Sequence, residues 1–120
     1  DRVERGKTIY VVEGPIDSMF LSNAIAAGGT DFTRALYDLS GENVVLIFDN
    51  QPRNKQVVKR IESFAQRGYA MVIWNSNWTS KDINDAVLSG SSVSQIEHIL
   101  NNSTFKGLAL KLAIRDWKKC

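Results

Sequence analysis

The sequence predicts an α/β fold: a mostly parallel central sheet flanked by helices, followed by a C-terminal helical tail. Two observations carry this. Three short apolar runs, Thr8 to Val12, Val44 to Phe48 ("VVLIF") and Tyr69 to Trp74 ("YAMVIW"), read as strands. They lack the polar alternation of a half-exposed strand, as expected of strands buried on both faces. Between and after them, apolar residues recur at helical spacing. An order that alternates strand with helix builds a parallel sheet through right-handed crossovers.

The elements follow in order. The first strand stops at Glu13, Gly14 and Pro15. Pro15 suits the first turn of a helix. Ile16, Met19, Phe20, Asn23, Ala24 and Ala27 then keep helical spacing up to a stop at Gly28-Gly29. A short helix is predicted over Phe32 to Leu39. After the second strand and the loop "NQPRN", Val57, Val58, Ile61, Phe64 and Ala65 form a helical stripe that ends at Gly68. The third strand leads into the polar loop "NSNWTSK". Asp82 opens a short helix reaching Leu88, and "SSVSQIEHIL" gives another. Residues 105–119 are expected to form a terminal amphipathic helix, with Phe105, Leu108, Leu112 and Trp117 available for packing. Without a repeat, a low-complexity segment or a linker, residues 1–120 read as one domain.

A chain of 120 residues, 43% hydrophobic and 23% charged, has an ordinary globular composition and can bury a core without disulfides. Its one cysteine, Cys120, provides neither a disulfide frame nor a zinc-ligand set, which suggests a reducing, cytoplasmic setting. No secretory signal and no apolar run near the ~18 residues of a spanning helix is present, so no membrane partner is expected. The start at Asp1 without an initiator Met suggests an excised fragment. A net charge of +2 neither demands nor excludes nucleic acid. Basic residues gather at Arg53 to Arg60 and at Lys106 to Lys119, whereas acids stand at Glu13, Asp17, Asp49, Asp82 and Asp85.

Ligands of open α/β sheets bind outside the carboxyl ends of the strands. Glu13 follows the first strand, Asp49 the second, and Asp82 and Asp85 come after the third. Carboxylates converging on one edge repel unless a hard cation sits among them, and Mg²⁺, or Mn²⁺, suits oxygen ligands. Each acid also has a plain structural reading. Glu13 can end a strand at the surface, and Asp17 can sit in a first helical turn favoured by the dipole. Asp82 reads as an N-cap with Asp85 three residues on, close to a capping box. Their joint placement at three strand ends is what favours a site. Arg53, Lys55, Lys59 and Arg60 flank this edge and read equally as phosphate contacts or as a solvated helix face. Trp78, in the polar loop, reads as a base-stacking residue or as loop packing. Trp74 is expected in the core, Trp117 is expected to anchor the last helix, and His98 is given no role.

The strand ending in "EGPID", the second ending in "VLIFDNQ" and the later "KDINDAV" resemble the Toprim domain, shared by bacterial-type primases, topoisomerases and several small nucleases. "KDINDAV" and the basic tail are most similar to the DNA primases of large tailed phages. The resemblance runs from Thr8 to the terminal helix. It implies that Glu13 is a general base or metal-site residue, that Asp17 is a second acid one turn later, and that Asp49 opens an Asp-x-Asp pair. Gln51 stands where the second aspartate belongs. Its amide oxygen can coordinate but carries no charge, which implies weaker metal binding. Asp82 matches a later acid. Asn84 stands where primases often carry another aspartate, with Asp85 beside it.

The implied function is Mg²⁺-dependent synthesis of RNA primers on single-stranded DNA. Ribonucleoside triphosphates and a hexameric replicative helicase are the implied partners, and the bacterial host cytoplasm the implied location. Zinc is implied only for a module upstream of Asp1. The alternatives are a Toprim-type Mg²⁺-dependent nuclease and a non-catalytic adaptor that grips a replication partner with its basic last helix. A topoisomerase is disfavoured, since no nucleophilic tyrosine domain fits within 120 residues.

Overall fold

The computed structural model describes residues 7–12, 23–26, 31–39, 41–74 and 82–120. The strands β1 (Ile9–Val12), β2 (Ala24–Ala26), β3 (Val44–Ile47), β4 (Ala70–Val72) and β5 (Thr104–Phe105) form one sheet in the spatial order β2-β1-β3-β4-β5. The first four run parallel, and β5 is antiparallel to β4. The described helices are α1 (Asp31–Asp38), α2 (Lys55–Gln66), α3 (Ile83–Leu88), α4 (Val93–Asn102) and α5 (Gly107–Trp117).

Register explains why the strand runs lack polar alternation. Val11, Leu46 and Met71 lie side by side across β1, β3 and β4 and are fully buried. Tyr10 and Val45, one residue earlier, point to the opposite face. Helices cover both faces. On the Leu46 side, the Phe64 ring of α2 meets Phe48 at 5.8 Å and Tyr69 at 5.9 Å. On the other side, the Tyr10 hydroxyl donates to Asn101 Oδ1 of α4 at 2.7 Å. Helix α5 joins the α2 layer, where Lys118 Nζ meets Glu62 Oε2 at 3.0 Å.

Local chemistry sets the helix limits. Asn54 caps α2 by accepting from the backbone N–H groups of Gln56 and Val57. Gly68, at φ 91°, ends it with a left-handed turn that a side chain would resist. Ser92 and Gln95 form a reciprocal capping box at the start of α4.

Two strands depart from the sequence expectation. Ala24 to Ala26 pair in parallel with β1 instead of continuing a helix. Asn23, at φ 55°, breaks the helical path, and its side chain donates to the Thr8 carbonyl at 2.8 Å. Pairing with the open edge of β1 outweighs the helix propensity of alanine. The rest of that expected helix, from Pro15 to Leu21, lies outside the described residues. Thr104 and Phe105 belong to β5, so the terminal helix begins at Gly107 and not at residue 105. Gly107, at φ 64°, prevents the helix from extending back through it. The buried face of α5 is Leu110, Ile114 and Trp117, whereas Leu108 and Leu112 are exposed. Their spacing suits either face; Trp117, the largest of the set, selects the one that packs.

Burial, and secondarily the charge of Glu97, raise the Tyr10 phenol above its ordinary value. The folded state therefore holds this proton longer than the unfolded chain does. Its contribution to stability is complete below about pH 10 and is lost as pH climbs through the raised folded value. Denaturant titrations at a series of alkaline pH values should show that loss in the wild-type chain and a smaller one in Tyr10→Phe. Parallel curves for the two proteins would refute the assignment.

Candidate active site

Strands β1, β3 and β4 end in step, with Val12, Ile47 and Val72 in register. Because β3 lies between the other two, the chain leaving it emerges in the middle of the carboxyl edge. Asp49 comes two residues later and is half-buried. Glu13 directly follows β1 in sequence, but Glu13, Asp17 and Trp78 lie outside the described residues. Among the described residues, no three His, Cys, Asp or Glu side chains gather closely enough to hold a metal ion.

The loop after β3 is fixed at several points. The indole N–H of buried Trp74, two residues past β4, donates to the Phe48 carbonyl at 2.8 Å. The Gln51 N–H donates to the Asp49 carbonyl at 2.9 Å, closing a tight turn around Asn50. Asn54 donates from its backbone to the Gln51 carbonyl and from Nδ2 to Gln51 Oε1, both at 3.1 Å. The amide oxygen proposed to replace a carboxylate is therefore already an acceptor within its own loop. One lone pair remains for a cation or a metal-bound water. From the far end of the chain, Trp117 Nε1 donates to Asn50 Oδ1 at 2.9 Å, and the Lys119 N–H donates to the Pro52 carbonyl at 2.7 Å.

Asp82 caps α3: its Oδ1 accepts from the Asp85 N–H at 2.8 Å, and Asp85 lies in the first turn. The capping expected from sequence is present, and it leaves the second oxygen of Asp82 available. Arg53, Lys55 and Lys59 are exposed along the start of α2. Arg60 sits over the Phe48 ring at 5.2 Å, so its guanidinium has a packing role beneath the same loop. His98 Nε2 lies 3.0 Å from Asn102 Nδ2 on the exposed side of α4.

Sequence reasoning missed Asn50, Pro52 and Lys119 as parts of this edge and assigned Trp117 to packing alone. Trp117 and Asn50 are 67 positions apart, and no local pattern signals such a bond. Beside the loop lies a cavity of about 460 Å³, walled by Asn50, Trp74, Phe105 and Trp117 with Asn102 and Lys119 among its polar lining. The oxygens assigned to this edge from sequence are carboxylates and an amide. That hard donor set fits Mg²⁺ and would suit a soft metal poorly.

Over 121 aligned residues, the chain is 33% identical to the DNA primase of Enterobacteria phage T4. The chain is related to a phage DNA primase. The similarity takes in 99% of the chain and spans 35% of that primase's length. No known protein-family profile matches the chain. Among the described residues, no helix is long and apolar enough to cross a membrane.

The two roles open to Asp82 separate experimentally. Asp82→Ser keeps a capping oxygen and removes the charge, whereas Asp82→Ala removes both. The alanine variant should lose about 1 kcal/mol of stability and the serine variant much less. If Asp82 also holds a cation, both variants should bind Mn²⁺ more weakly by similar factors. Calorimetric melts and Mn²⁺ titration by paramagnetic broadening measure the two effects. Wild-type Mn²⁺ affinity in both variants would reduce Asp82 to a cap.

Proposed function

We propose that this chain is the Toprim-type catalytic part of a DNA primase, which joins ribonucleotides into short primers on single-stranded DNA. The observation that carries this reading is the 33% identity to a phage DNA primase along 99% of the chain. The placement of Asp49 beyond the central strand agrees with it, since ligands of such sheets gather at that edge. In this reading, Glu13, Asp17, Asp49, Asp82 and Asp85 are the residues that would hold Mg²⁺, with Gln51 adding an oxygen without charge; the described three, Asp49, Asp82 and Asp85, do not by themselves gather into a metal-holding group. When bound, Mg²⁺ supplies neutralisation of the triphosphate and of charge developing on the transferred phosphorus.

The chain's own groups have defined tasks. Glu13 accepts the proton of the primer 3′-hydroxyl as that oxygen attacks the α-phosphorus and pyrophosphate leaves. Arg53 and Lys55 hold the phosphates. Lys55 is telling, because it occupies the first turn of α2, where no acid is present and the helix dipole disfavours a cation. A bound anion reverses that penalty. Trp78 stacks on a base, and Lys59 follows the template strand. A replicative helicase partner, an upstream zinc module and a location in the bacterial host cytoplasm belong to the same reading. One observation favours an alternative: Gln51, neutral and already bonded to Asn54, suits an adaptor that has kept the fold without the chemistry.

Incorporation of radiolabelled ribonucleotides on single-stranded DNA tests the proposal, using the 120 residues alone and joined to their adjoining coding sequence. The longer protein should make oligoribonucleotides, and the 120 residues alone should make none. Asp49→Ala in the longer protein should lower synthesis by about a thousandfold, the scale of losing one preorganised electrostatic group. Undiminished synthesis by Asp49→Ala would overturn the catalytic assignment. Mg²⁺-dependent cleavage of the DNA in place of synthesis would establish the nuclease, and no turnover by either protein the adaptor.

Lys55 gives a separate check. Lys55→Glu should stabilise the metal-free chain by about 0.5 kcal/mol while weakening binding of a fluorescent ribonucleoside triphosphate several-fold. Unchanged nucleotide affinity would remove Lys55 from the phosphate site.

A further inference from the structure

We infer that Trp117 and Asn50 are positioning residues, and that the end of the terminal helix holds the Asp49 loop in its metal-binding conformation. This rests on the reading of Asp49 as a metal ligand.

The anchors of the loop fall on alternate residues. Phe48 is held through its carbonyl by Trp74, Asn50 through its side chain by Trp117, and Pro52 through its carbonyl by the Lys119 backbone. Asn54 is held by its own cap on α2. Asp49 and Gln51, the two residues matched to the ligand pair, lie between these anchors. Two of the four anchors come from the last residues of the chain.

These contacts also close a circuit. The loop ends in the Asn54 cap of α2, Glu62 of α2 binds Lys118, and Lys118 follows Trp117, which returns to the loop at Asn50. Packing alone does not require this arrangement. Trp117 is 8% exposed, and a phenylalanine could fill much of the same space. What the indole adds is a donor, and a buried indole N–H needs an acceptor. That acceptor is the neighbour of Asp49. A ligand loop held before the cation arrives does not lose conformational freedom when the cation binds.

The test uses Trp117→Phe, Asn50→Ala, the double variant and Asp49→Ala in the 120-residue chain, with two readouts. The first is amide hydrogen exchange without metal. Trp117→Phe should speed exchange at the Gln51 and Asn54 amides about five- to tenfold, while the interior of α2 keeps its protection. The second is Mn²⁺ affinity. Trp117→Phe should weaken it about five- to tenfold and Asn50→Ala at least as much, and adding Trp117→Phe to Asn50→Ala should weaken it no further, because the bond between the two side chains is already gone. If Asp49→Ala abolishes Mn²⁺ binding while Trp117→Phe binds like the wild type, the positioning role is overturned and the metal reading stands. If Asp49→Ala binds Mn²⁺ normally, both fall. Additive losses in the double variant, or unchanged exchange at Gln51 and Asn54, would also overturn the inference.

Discussion

The pairing of β3 with β1 on one side and β4 on the other is the constraint on which the rest depends. It brings three chain segments, far apart in sequence, to one edge at one height. Since both faces of these strands are apolar, the fit of individual side chains into the two helical layers fixes the pairing. The row of Val11, Leu46 and Met71 is fully buried, and Tyr10 on the opposite face reaches α4. A register slip would disrupt packing in both layers at once. That rigidity lets polar loops at the edge be placed by the sheet beneath them.

Much of this was legible in the chain itself. Runs such as "VVLIF" declare buried strands by composition, and Gly68 and Asp82 mark helix limits through chemistry that acts over three or four residues, whereas the caps at Asn54 and Ser92 emerge only in the structure. What escaped was decided by distant partners. Ala24 to Ala26 carry the composition of a helix and become a strand because β1 offers an open edge. Thr104 and Phe105 look continuous with the helix that follows until Gly107 turns left-handed. Asp49 could be assigned to the carboxyl edge from strand order, but the contacts that shape the loop around it come from Trp74 and Trp117. Hydrophobic periodicity reads a tryptophan as bulk and is silent about where its single donor points.

The two tryptophans illustrate a general economy. Each fills core volume with its ring and satisfies its N–H at the carboxyl edge of the sheet, Trp74 on Phe48 and Trp117 on Asn50. The same residue therefore couples the packing of the interior to the shape of a surface loop. Arg60 does so from the other direction, spreading its guanidinium on the Phe48 ring just below. Disturbance of the core near these side chains would reach the edge without touching any acid.

Reversal of the two-residue strand β5 has an electrostatic consequence. Since β5 runs against β4, it travels away from the carboxyl edge, and α5 must return toward it. The terminal helix therefore brings its C-terminal pole, where unpaired carbonyls concentrate negative potential, to the same loop that receives the N-terminal pole of α2. Opposite ends of two helices meet across Asn50 and Pro52. The negative pole is offset by Arg115, Lys118 and Lys119, clustered in the last turn and just beyond it. Had this short strand run parallel, the field over Asp49 would carry a contribution of different sign from one of the five described helices, with no acid or base exchanged.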